Sequence, residues 1–396
     1  MKLKYEYLGK YVRLIDERNK DMLTDVVLGV NIDKYFMPSV ANVIGTDLEN
    51  YKLLRKGRFA CNPMHVGRDE RLPVARYSED SLAIVSPAYF MFEIVDEDEI
   101  DPEYLMICFR HPDFDRKCWF RTDSSVRGGI TWEDICALSI PIPPINEQRN
   151  VVHDYQIITD RIELLQKINK NIEMQMQSLY RYYFIDYSPF SDSEFCSLKG
   201  NKYPVSWNFD KLSSVCEMLN GRAYSQEEML TKGKYRILRV GNFFTNDYWY
   251  YSDLELDDSK YCYSGDLLFC WAATLGLYIW NEPKTIYHYH IWKVDFSKSS
   301  LLFREYIYLL LKNKIINLVN EGHGSVMLHL TKEGVENMEI VIPPLSVIEK
   351  FHNTILPYIN EQRVVQKQLK VLNHIRLTLL SNPQKTIMNK RLNELL

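Results

Sequence analysis

Gly129-Ile130-Thr131-Trp132-Glu133-Asp134, running into Ile140-Pro141-Ile142-Pro143-Pro144-Ile145-Asn146-Glu147-Gln148, is said again 200 positions later as Thr331-Lys332-Glu333 and Ile340-Val341-Ile342-Pro343-Pro344. The match spreads outward. Ser125-Val126 returns as Ser325-Val326, Glu103-Tyr104-Leu105 as Glu305-Tyr306-Ile307, and Gly57-Arg58-Phe59 is echoed by Gly265-Asp266-Leu267. A period this long exceeds any solenoid repeat and implies a tandem duplication. Each Pro-Pro precedes a long helical pattern. Proline presets φ and cannot donate to a ladder, so it ends a strand and fixes where the helix starts. The expected fold is α+β: two similar domains separated by a pair of long antiparallel coiled-coil helices, with pseudo-two-fold symmetry.

The expected boundaries are 1–145 for the first domain, 146–187 for a central long helix, 188–345 for a linker and second domain, and 346–396 for a C-terminal helix and tail. In the first domain the pattern predicts strands such as Ser81 to Ile94 and one helix near Pro102 to His111. The second predicts strands at Tyr235 to Val240, Tyr261 to Trp271 and Thr285 to Phe296, then a helix from Leu301 to Asn320. Between them, Ile158, Ile162, Leu165, Ile172, Met176, Leu179 and Tyr183 follow a heptad with Asn169 in the skipped core position. Ile355, Tyr358, Val365, Leu369, Leu372 and Leu379 repeat it, with Gln362 and Arg376 in the polar gaps. Two seams on one chain most simply pair with each other, and a helix of this length would be roughly 55 Å long.

With 396 residues, 46% of them hydrophobic, the chain can bury two cores. It contains no run of about 18 apolar residues that could span a bilayer, and Met1-Lys2-Leu3-Lys4 leads into charged sequence, which predicts a cytoplasmic protein without a membrane role. The eight cysteines show no C-x-x-C pairing and no zinc-type spacing, so they read as reduced structural thiols. A formal net charge of −4 excludes a uniformly basic nucleic-acid binder. Basic residues are instead concentrated locally: Lys52, Arg55, Lys56, Arg58, Arg68, Arg71 and Arg76 crowd one segment. Arg222, Lys232, Lys234, Arg236 and Arg239 cluster among aromatic residues in the second domain.

Catalytic signatures are missing. The sequence has no G-x-x-x-x-G-K-[ST] loop, no G-x-S-x-G elbow and no H-E-x-x-H helix. Neither Pro-Pro pair forms the Asn/Asp-Pro-Pro-Tyr/Phe tetrad by which amino-methyltransferases hold a flipped base. Pro112-Asp113-Phe114-Asp115-Arg116-Lys117 has nuclease-like residues at the wrong spacing. His288-Tyr289-His290 would put two imidazoles on one strand face, but with no third ligand it reads as a half-buried aromatic strand and not a metal site.

Two variable α+β units, each closed by an Ile-Pro-rich phrase and a long helix, resemble the specificity subunit of type I restriction-modification systems over essentially the whole chain. The 129–148 phrase looks like that family's boundary between target-recognition domain and helix, and Gly265-Asp266-Leu267-Leu268 followed by Thr274-Leu275-Gly276 matches a pattern inside those domains. Gly57-Arg58 and Val347-Ile348 depart from it. The resemblance implies a non-catalytic subunit that binds a bipartite double-stranded DNA target and recruits two methyltransferase subunits and, in the larger complex, restriction subunits. S-adenosylmethionine, ATP and magnesium would then belong to those partners and none to this chain. A protein-only scaffold, organising partners through its helix pair, is the alternative.

The residues expected to touch DNA are Lys56, Arg58, His65, Arg68, Arg71 and Arg127 in the first domain and Arg222, Tyr224, Arg239, Asn242, His323 and Ser325 in the second. They combine positive charge with turn-rich, glycine-flanked sequence. Partner docking is expected on outward helix faces at Asn146, Glu147, Gln148 and Arg149.

Overall fold

Thr131 and Thr331 each cap a short helix in the same way. The Thr131 hydroxyl accepts from the Asp134 amide at 3.1 Å and opens Trp132–Cys136; the Thr331 hydroxyl accepts from the Gly334 amide at 3.0 Å and opens Lys332–Glu336. Each helix then delivers the Ile-Pro strand to an N-terminal partner: Ser139–Pro141 pairs antiparallel with Tyr5–Tyr7, and Glu339–Ile342 with Asn208–Lys211. Tyr104 and Tyr306 donate their hydroxyls to the Pro141 and Val341 carbonyls, so the repeated Glu-Tyr phrase packs its helix on the repeated strand.

The computed structural model describes residues 4–40, 45–122, 128–198, 200–244, 248–272, 274–320 and 331–381. The chain divides into two compact units, Met1–Leu164 with Leu369–Leu396, and Leu165–Gln368. In the first, a four-stranded antiparallel sheet runs in the order Val12–Ile15, Phe90–Ile94, Phe59–Cys61, Val74–Arg76, beside a pair formed by Lys52–Leu54 and Ala83–Val85. In the second, Glu217–Asn220, Ile291–Asp295, Leu267–Cys270 and Gly276–Ile279 follow the same order. There Tyr261–Cys262 and Thr285–Tyr287 form the matching pair, extended by Tyr235–Leu238 and Tyr250–Ser252. Two domains with one topology are what a duplication leaves behind.

Several predicted strands turn out to be broken, each for a backbone reason. Ser81 to Ile94 is interrupted by a turn at Ser86 to Tyr89. Tyr261 to Trp271 breaks at Gly265, whose φ of +101° no side chain adopts readily. Thr285 to Phe296 breaks at His288, Tyr289 and His290, so these residues form a turn and not a strand face. Directly after the expected helix, seen at Pro102–Arg110, comes another, Pro112–Phe120, which contains both carboxylates of the nuclease-like phrase. One of them, Asp115, is buried in an ion pair with Lys34 at 2.6 Å, and Lys34 also donates to the Phe109 carbonyl at 2.7 Å. Burial pulls the Lys34 amine down, opposed by the Asp115 charge.

The first long helix is Ile145–Phe184 and the second Leu345–Ser381. Within the first unit Ile158 and Ile162 are buried with Leu379 against Tyr155, Leu369, Leu372 and Ile375. Within the second the helices run antiparallel: Gln362 bonds Glu173, and eleven residues on in each direction Phe351 packs on Phe184 at 4.7 Å. The seam departs from a strict heptad near its end. Tyr180, not Leu179, is buried, and so is Ile359, not Tyr358. A 3.6-residue helix drifts away from a 3.5-residue repeat, and over several turns the buried position slips by one residue. Asn169 does occupy the skipped position, with its Oδ1 buried and without a hydrogen-bond partner.

Candidate nucleic-acid interface

In the second domain the C-terminal ends of four strands converge. Tyr235–Leu238 and Thr285–Tyr287 are parallel neighbours, so Arg239 and His288 emerge side by side, the His288 amide donating to the Leu238 carbonyl at 2.9 Å. After Asn220 the chain passes so close to His288 that a Cβ on Gly221 would lie 2.3 Å from its carbonyl oxygen; only glycine fits. Arg222 then bonds the Tyr287 carbonyl through its amide and receives the Tyr289 amide on its own carbonyl, both at 3.1 Å. From the end of Leu267–Cys270, the Trp271 amide reaches the His290 carbonyl and its indole N–H the Tyr289 carbonyl, at 3.2 and 3.0 Å.

The result is a fixed backbone carrying an exposed Tyr289 ring between two partly buried imidazoles, with Trp271, also partly buried, beside them. Tyr289 is 41% exposed, and its ring centroid lies 4.0 Å from that of His290 and 4.4 Å from that of His288. Burial, then the neighbouring His290 and Arg239, hold the His288 imidazole down at about 4; burial and Arg239 lower His290 as well. Near neutrality His288 is uncharged and can both donate and accept. The half-buried strand expected at 288–290 is a turn here; its signal in the sequence is His-Tyr-His directly after the strand Thr285–Tyr287, with Trp271 and Arg239 also following strand ends.

The predicted second-domain residues divide. Arg239 is exposed, lies over the Tyr250 ring at 5.2 Å, and has no acidic partner among the described residues. Arg222 is held in a double ion pair by Glu228 at 2.6 and 3.0 Å and lies over Tyr224. Tyr224 is buried, its hydroxyl without a partner. Asn242 is a staple of the turn, accepting from the Arg239 amide and donating to the Tyr248 carbonyl, both at 2.9 Å. His323 and Ser325 lie outside the described residues, as does Arg127.

In the first domain the corresponding strand end is Cys61, followed by Asn62-Pro63-Met64-His65. His65 is left-handed (φ 68°), and the next turn is clamped where Gly67 and Gly128 touch: the Gly67 amide bonds the Gly128 carbonyl at 2.8 Å, and a Cβ on Gly128 would meet the Gly67 Cα at 2.5 Å. The basic run is not bare. Lys56 pairs with Asp80, Arg68 with Asp69 and Arg71 with Asp33, and each of the three cationic side chains is more than half exposed. Such exposed pairs contribute only about 0.2–1 kcal/mol, so the acidic partners hold these cations weakly. Arg58 differs: it is mostly buried, bonded to Glu17 and to the Leu53 carbonyl at 2.8 Å, and holds the fold. Of the four predicted docking residues, Asn146, Glu147 and Arg149 are exposed. Gln148 is fully buried, accepting from the Asp101 amide and donating to the Glu99 and Pro143 carbonyls, so it ties the helix start to its domain and presents nothing outward.

Among the described residues no helix is long and apolar enough to cross a membrane, and no cluster of three or more metal-ligating side chains occurs. The same strand order thus occurs twice in the chain, with different side chains at the equivalent strand ends. Residues 204–379 match the family described as type I restriction modification DNA specificity domain. Over 313 residues the chain is 25% identical to the MjaIX specificity subunit of a type I restriction enzyme of Methanocaldococcus jannaschii, covering 72% of this chain and 69% of that one. The crystal structure of a type I restriction-modification S subunit from M. genitalium shares the fold, with a TM-score of 0.53 at 12% identity over 96% of both chains. Over most of its length the chain is thus similar in sequence and fold to specificity subunits of type I restriction systems, with the DNA specificity domain itself matched over residues 204–379.

Proposed function

We propose that this chain reads a bipartite double-stranded DNA target, one half-site per domain, and lends that specificity to two methyltransferase subunits and, in a larger complex, to restriction subunits. It performs no chemistry itself; S-adenosylmethionine, ATP and magnesium are held by those partners. The observation that carries this reading is the duplicated topology whose equivalent strand ends bear different side chains: Asn62 to His65 in one domain, Trp271 with the 288–290 turn in the other. A scaffold for base readout holds its backbone constant and varies the side chains that reach the groove.

The test is to express the chain with a methyltransferase partner in a host lacking other methylation and to map modified positions across the genome. Two short defined half-sites separated by a constant spacer are expected. Methylation without a common sequence, or an unmethylated genome despite an assembled complex, would defeat the reading. The protein-only scaffold predicts assembly of the complex without any DNA affinity that falls with salt.

A further inference from the structure

We propose that the His288-Tyr289-His290 turn, flanked by Trp271 and Arg239, is the base-reading element of the second domain and contacts base edges of that domain's half-site. The inference rests on the DNA-recognition reading above and assigns specificity, beside Arg239, to Trp271, His288, Tyr289 and His290, which the charge pattern did not single out.

Three observations support it. First, the turn is immobilised through its backbone alone: the 288 and 289 amides and the 289 and 290 carbonyls are all bonded to neighbouring strand ends. These backbone bonds hold the side chains of the turn in fixed positions, which is what precise readout needs. Second, the chemistry suits base edges more than phosphates. Tyr289 offers a half-exposed ring and hydroxyl, His290 a partly exposed imidazole that is a donor and acceptor when neutral, and Trp271 an apolar flank. Third, Arg239 stands at the same edge without an acidic partner among the described residues, whereas Lys234, Arg236 and Arg222 nearby are paired with Glu255, Glu282 and Glu228. A guanidinium left free beside neutral polar side chains is suited to guanine O6 and N7. The topologically equivalent turn of the first domain is Ser86-Pro87-Ala88-Tyr89, with no imidazole and no charge. This position is therefore furnished independently in each domain, as two different half-sites require.

The experiment uses the chain assembled with its methyltransferase partner. Tyr289→Ala and His290→Ala are compared with wild type by genome-wide mapping of methylated positions and by binding to cognate and scrambled duplexes. Both should keep the first half-site and the spacer while relaxing one or more positions of the second, with discrimination there falling roughly 5- to 150-fold. Because only backbone atoms fix the turn, both should assemble normally. Should either fail to assemble, His290→Asn, which keeps a polar side chain, provides the same readout. A methylated sequence identical to wild type would overturn the proposal while leaving DNA recognition by the chain intact, as would equal weakening toward cognate and scrambled duplexes. A wild-type complex that methylates no defined sequence would instead remove the recognition reading on which it rests.

Discussion

Lys34 and Asp115 show how much a single buried pair can commit. Lys34 is 4% exposed and in the left-handed region (φ 68°), and Asp115 also accepts the Leu72 amide at 3.0 Å. Lys34→Met strands a buried carboxylate and should cost about 3–5 kcal/mol in denaturant unfolding. Adding Asp115→Leu should recover much of that loss, but not the roughly 1 kcal/mol of the orphaned Leu72 amide; a double variant no more stable than the single would refute the account. His288 makes a pH prediction. Its imidazole is lowered in the folded state, so the unfolded chain takes up a proton near 6.5 that the folded chain refuses until about 4. Stability should therefore fall as pH drops through that window, and His288→Asn should flatten this limb of the melting-temperature profile. None of this was legible in the sequence, because Lys34 and Asp115 are 81 positions apart and burial, the largest cause of both effects, is set by the folded chain.

At the level of elements, the Ile-Pro-Pro phrases, the threonine caps and the heptads could be read directly, since each is governed by neighbours within a few residues. The breaks inside the longer strands were not. They depend on Gly265 and on the 288–290 turn meeting strands that lie far away in sequence. The two helix starts also diverge where the repeat does: Gln148 is buried by three hydrogen bonds, while its counterpart Ile348 is buried as an apolar side chain. In the second unit Phe351 is fully buried against Tyr183 and Phe184. Phe351→Ala should cost about 3–5 kcal/mol by chemical denaturation, and Gln148→Ala about 1–3 kcal/mol for the unsatisfied backbone groups it leaves. Near-neutral values would mean that the helix starts are not anchored as described.

For the whole molecule, the proposed reading of the duplicated strand-end edge makes specificity local. Exchanging only the turn residues of one domain should change one half-site and leave the other and the spacer unchanged, as read from methylated positions; a coupled change in both would contradict independent domains. The duplication, the α+β class and the family resemblance were set by the sequence itself, because repeated phrases and their spacing survive without knowledge of any contact. Which cations are available to DNA was decided only in three dimensions. The first domain's basic run finds Glu17, Asp33 and Asp80 across the fold. Arg239, by contrast, emerges without an acidic partner among the described residues, beside a His-Tyr-His turn, because Ile237–Leu238 and Ile286–Tyr287, 49 positions apart, run parallel and end together. Charge pairing and the convergence of strand ends are properties of distance in space, and one-dimensional order does not encode them in any form that local chemistry can read.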